Sequence, residues 1–157
     1  MRSALSMSAL TFVLVLGGGA PALAAEDAVH IKYRQKVMAG VGADMGAISD
    51  ILKNGLPYTA AIALHADRLG DSAALIPTAF SKNVSTGATD AKPEIWQKAD
   101  EFERAIQALE DAADDLEEAA DDEEPAAIAK AFKVLGKSCG GCHETFRKPK
   151  EESYKKQ

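Results

Sequence analysis

The stretch "SCGGCHETFR", Ser138 to Arg147, holds both cysteines of a 157-residue chain, three residues apart, with His143 directly after the second. In an α-helix, positions i and i+3 share a face. Read as helix, the stretch therefore sets the Cys139 and Cys142 sulfurs side by side, with His143, four residues after Cys139, on the same side. Two thiols so spaced can add to two vinyl groups on one porphyrin edge, while the adjacent imidazole supplies an axial ligand to the iron. The spacing thus points to covalent haem c, one group per chain, held by Cys139 and Cys142 with His143 as metal ligand.

The same five residues also suit a dithiol redox pair or part of a zinc site. A dithiol enzyme of that kind needs a βαβ pattern, which is missing here, and zinc needs further ligands, whereas His30 and His65 stand isolated. Gly140 and Gly141 each cost a helix interior about 1 kcal/mol relative to alanine. Lost side chains at those positions are expected to let a flat ring approach the backbone.

The chain opens MRSALSMSALTFVLVLGGGAPALAAED, with Arg2, an apolar run to Leu16, and small residues at Ala22 and Ala24. This is the pattern of a cleaved secretory signal. The expected organisation is a signal peptide over 1–25 and one domain over 26–157, in a periplasmic protein. The apolar run falls short of the ~20 residues of a membrane span, so no stable membrane anchor is expected. An exported thiol pair tends to oxidise or to become a covalent attachment point. A net charge of −6 disfavours nucleic acid as a partner.

Apolar residues at Val29, Tyr33, Val37, Val41, Met45, Ile48 and Leu52 fall in steps of three and four, predicting helix A from Glu26 to Lys53. Asn54-Gly55 ends it, and Pro57 suits the first turn of helix B, which runs to Phe80 with Pro77 closing or kinking its last turn. The polar stretch 81–92 reads as a crossover loop. Pro93 opens helix C, with Ile95, Phe102, Ile106, Leu109, Ala113 and Leu116 inward, and an acidic link, Asp121 to Pro125, leads to helix D. On helix D the inner residues are Ile128, Phe132, Leu135, Cys139, Cys142 and Phe146. Four amphipathic helices without any strand pattern give an all-α fold, an antiparallel four-helix bundle.

At this point the chain resembles the cytochrome c′ family of class II c-type cytochromes. The likeness is carried by "HIKYRQKVM" on helix A, "LIPTAFSKNVSTGATDAKPEIW" across the B to C connection and "CGGCHETFR" on helix D. It implies a covalent haem near the C-terminus of the fourth helix. One branch of that family leaves the distal side of the iron open and binds small gases; another fills it with methionine and carries electrons. The position of Met38 implies a side chain facing the distal side, and "IKYRQKVM" looks most like the low-spin cytochrome c-556 branch. Met38 is accordingly the expected second metal ligand, its soft thioether suited to haem iron.

Arg34 shares a helical face with Met38, a spacing compatible with a contact to a haem propionate. Arg147, four residues after His143, has a family counterpart close to the proximal imidazole, so it too is a cofactor-binding candidate. Phe132, Phe146 and Trp96 read as packing around the haem pocket. With His143 and Met38 both bound, the expected function is electron transfer with redox partner proteins. The alternatives are a five-coordinate protein that binds nitric oxide or carbon monoxide, and a haem-free helical interaction protein. No nucleophile and base arrangement is evident, so no enzyme is expected. Lys130, Lys133, Lys137, Lys148 and Lys150 are expected to steer an acidic partner to the haem edge. Family members often pair through helices A and B, which leaves monomer and homodimer both open.

Overall fold

A computed structural model describes residues 19–156, with side chains from residue 24 onward; most of the expected signal peptide lies outside these residues. The helices are α1 (Gly19–Asn54), α2 (Thr59–Ala73), α3 (Ile76–Ala79), α4 (Glu94–Gln97), α5 (Ala99–Asp121) and α6 (Pro125–Phe146). Among the described residues the sole β feature is an isolated antiparallel bridge between Ala91 and Arg147. No described helix is long and apolar enough to cross a membrane.

The four expected helices are present, and the second and third are each broken once. Proline lacks an N–H and its ring crowds the carbonyl four residues earlier. For Pro77 that residue is Ala73, where α2 stops; the chain resumes as α3 after a tight turn in which Leu75 N–H reaches the Ser72 carbonyl at 3.3 Å. Pro57 was expected inside the first turn of this helix, but Tyr58 is the N-cap and Pro57 stays in the connection. Gly55, at φ 60°, closes α1 in the left-handed region that glycine adopts without strain. Leu56 N–H then bonds the Ile51 carbonyl at 3.0 Å, a helix-ending pattern that satisfies one of the last free carbonyls.

Helix α1 packs on α2, α2 on α5 and α5 on α6. The core between them includes Val41, Ile48, Ile62, Leu69, Ile106, Leu116 and Leu135, of which Ile48, Leu69, Leu116 and Leu135 are fully enclosed. The expected inner faces hold for α5 and α6, and α2 buries Ile62, Leu69 and Ala73. On α1 the expected face fails at one end: Val29 and Tyr33 are 65% and 44% exposed, whereas Ile31 and Arg34 are buried. The reason is what packs there. The crossover loop, rather than a helix, covers this end, with Gly87 against Ile31, so the buried stripe follows the loop.

Candidate functional site

Helices α1 and α6 diverge along one side of the bundle, and a groove of about 550 Å³ opens between them. Its α6 wall carries Cys139, Cys142, His143, Phe146 and Arg147, the one helical face the spacing implied. Its α1 wall carries Arg34, Met38, Val41 and Met45. Ile76, Phe80, Ile95, Phe102 and Ile106 form the apolar floor. Phe102 meets Phe80 at 5.3 Å and Phe146 at 5.1 Å between ring centres, both edge to face, which fixes the floor as one aromatic unit.

Cys139 and Cys142 form no disulfide with each other. Burial raises the pKa of both thiols above the ordinary cysteine value. His143 is an exposed residue on the groove wall. The surrounding protein, and after it the Arg147 charge, lower the imidazole pKa from its ordinary value, so it is neutral at pH 7 with a lone pair to offer.

Arg34 is 3% exposed and belongs to the framework as much as to the groove. Its Nη1 donates to the Val84 carbonyl at 2.9 Å, its Nη2 to Lys82 at 3.2 Å and its Nε to Ala79 at 3.4 Å. The guanidinium also lies over the Phe80 and Trp96 rings. Three of its five N–H groups thus tie α1 to the end of α3 and the loop that follows, a role the sequence did not announce, and two remain. Burial lowers its pKa.

Trp96 packs, as expected, into the apolar cluster of Ile95 and Phe146 beside the groove, lies behind Arg34 and donates its indole N–H to the Phe80 carbonyl at 2.7 Å. Phe132 packs in the core away from the groove. Gly140 and Gly141 are exposed and do not line the groove. Met45 also reaches the groove, one heptad beyond Met38. His65 stands apart, with Nδ1 2.7 Å from Asp44 Oδ1. Tyr154 and Lys155, also on the groove, were missed altogether because they follow the last periodic helix.

The groove fits a flat apolar cofactor better than a bare ion. Its volume lies in the range of small-molecule sites, its floor is hydrocarbon, and one wall joins two adjacent thiols to one imidazole. Among the described residues no cluster of three or more His, Cys, Asp or Glu exists to hold a metal ion by itself.

Fold and groove together define a helical-bundle protein with a cofactor-sized cleft walled by a CxxCH helix. The chain belongs to the cytochrome c′ family, which it matches over residues 29–147. It is 38% identical to the cytochrome c′ of Pararhodospirillum photometricum over 78% of this chain and 99% of the relative. Other relatives bear the names cytochrome c-554 and cytochrome c-556. Among solved structures, cytochrome c prime from Shewanella frigidimarina superposes with a TM-score of 0.72 at 30% identity, covering 78% of this chain and 97% of the other. A nitric oxide complex of a leucine-to-alanine variant of the Alcaligenes xylosoxidans protein gives 0.69 at 33% identity, covering 79% and 97%. The protein is therefore a haem protein of the electron-transfer and gas-binding class, and haem c with its iron is the cofactor of the family.

Proposed function

We propose that the chain is an exported electron carrier whose haem c is attached through Cys139 and Cys142 and ligated by His143 and Met38. The observation that carries this reading is the presence of Met38 on the α1 wall of the very groove whose α6 wall bears His143 and both thiols. When bound, haem c supplies an iron that cycles between the ferric and ferrous states. The chain's own groups do the rest. Neutral His143 offers a nitrogen from one side, and Met38, unbranched and half-buried, offers a thioether from the other. Two fixed protein ligands keep the change in geometry on electron transfer small, and sulfur favours the reduced form. The Phe80, Phe102 and Phe146 rings keep water from the floor.

Export is part of the proposal: residues 1–25 form the signal peptide, residues 26–157 the mature domain, and the site of action is the periplasm. The leader pattern and the thiol chemistry support it. Partners are redox proteins that approach the open side of the groove. Lys130, Lys133 and Lys137 are exposed on α6 and available for steering, whereas Lys148 is tied to the Thr89 carbonyl at 3.2 Å.

The second reading is a five-coordinate protein that binds nitric oxide, with Met38 closing the groove as a hydrophobe. Relatives solved as nitric oxide complexes favour it. Visible spectra of the reduced protein with and without carbon monoxide separate the two. A low-spin spectrum indifferent to the gas, converted by Met38→Leu to a gas-sensitive high-spin one, supports the carrier. A parent spectrum that already responds to carbon monoxide overturns it.

A further inference from the structure

The family match ends at Arg147, but the described chain continues through Lys156 and folds back over the groove. Two short 3₁₀ turns, Lys150–Glu152 and Tyr154–Lys156, follow Pro149. They are pinned to one residue of the crossover loop. Asp90 Oδ2 accepts from the Ser153 hydroxyl at 3.0 Å, its Oδ1 accepts from the Tyr154 N–H at 3.0 Å, and its carbonyl accepts from the Lys148 N–H at 2.7 Å. Ser153 is buried in the process. A segment held by this many bonds to a nearly enclosed carboxylate is a fixed part of the molecule rather than a trailing end.

Its fixed position brings Tyr154 and Lys155 to the groove rim beside Arg34 and Arg147. The Tyr154 oxygen accepts from Gln35 Nε2 at 2.9 Å, which leaves the phenolic proton without an acceptor among the described residues. Lys155 makes no ion pair among the described residues, its Nζ lies 6.0 Å from the Tyr154 ring centre, and both residues line the groove. The one acid at this rim, Asp90, is already committed to Ser153, the Tyr154 N–H and Arg147, whose Nη2 is 3.6 Å away. The rim therefore combines an unspent hydroxyl donor with an unpaired cation. Haem carries two carboxylates, and these are the groups such a pair recognises.

We propose that Tyr154 and Lys155 belong to the haem site, holding the carboxylate edge of the cofactor with residues that lie beyond the family-matched segment. This rests on covalent haem in the groove but not on Met38 as ligand. The tail thus extends the cofactor site: Asp90 positions it, Tyr154 donates to a carboxylate oxygen, and Lys155 adds a positive charge that favours the reduced iron.

The test uses the holoprotein and the variants Tyr154→Phe, Lys155→Gln and Lys156→Gln. Lys156 is exposed, off the groove, and removes the same charge, so it controls for net charge alone. At fixed pH and ionic strength, Lys155→Gln is expected to lower the midpoint potential relative to both parent and Lys156→Gln. Tyr154→Phe is expected to move the haem carboxylate bending band in resonance Raman spectra to lower frequency. The proposal is overturned if the two lysine variants have the same potential, or if the Raman band does not move. A high-spin parent sinks the methionine ligand while leaving both readouts in force. A parent with no porphyrin retained after denaturation, seen by haem staining, removes the attachment and this proposal together.

Discussion

The Arg34 guanidinium carbon lies 4.5 Å above the centre of the Phe80 ring and joins α1 to the crossover loop. Three donors, two on loop carbonyls and one on the last carbonyl of α3, and a cation over two rings make this one side chain the loop's anchor. Charged hydrogen bonds and a desolvated cation–π contact are each worth a kcal/mol or more, and removal strands buried carbonyls. Arg34→Ala is therefore expected to destabilise the fold by about 3 kcal/mol in denaturant titrations followed by circular dichroism. Arg34→Lys should recover a minor part, since a point charge cannot reproduce the planar fork.

Leu135 is fully enclosed in α6, one turn before Cys139. Truncation to alanine leaves a cavity that the surrounding helices cannot close. Leu135→Ala is expected to cost about 3 kcal/mol, lowering the thermal midpoint, with thioether attachment intact in the folded fraction.

Gly141 sits in the middle of the attachment motif with its Cβ direction open to solvent. If its absence of a side chain serves no cofactor contact, helix propensity alone decides the outcome. Gly141→Ala should then raise stability by roughly 0.5–1 kcal/mol, with an unchanged visible spectrum. A lost or shifted Soret band in that variant would support the ring-approach reading.

Glu117 shows how the acidic side of the bundle titrates. Partial burial, followed by repulsion from Asp67, Asp121, Asp114 and Asp71, raises its pKa above the ordinary glutamate value. The folded state thus binds its proton more tightly than the unfolded state does, and stability from this group is lost as pH rises from the ordinary value through the raised one. Glu117→Gln is expected to raise the melting temperature at pH 7 and to have no such effect in acid, where the parent is already protonated. Equal gains at both pH values would contradict this account.

Much of this molecule can be read before it is folded, and the residues show why. The steps of three and four that place Ile62, Leu69, Ile106, Leu116, Ile128 and Leu135 inside are properties of a helix alone. So is the common face of Cys139, Cys142 and His143, because residues three and four apart share a face wherever the helix is put. Pro77 announces its own break. These local rules determined a bundle of four amphipathic helices and one chemically loaded helix.

What crosses from one element to another was settled by tertiary packing. Val29 and Tyr33 obey the helical period but face solvent, since a loop and not a helix covers that end of α1. Arg34 became a loop anchor because carbonyls some fifty residues away converge on it. Tyr154 and Lys155 carry no periodic signal; they reach the groove because Asp90 holds the tail there. Periodicity reports the face a residue takes on its own helix, whereas the neighbour that meets that face depends on how distant segments share the limited space around one core.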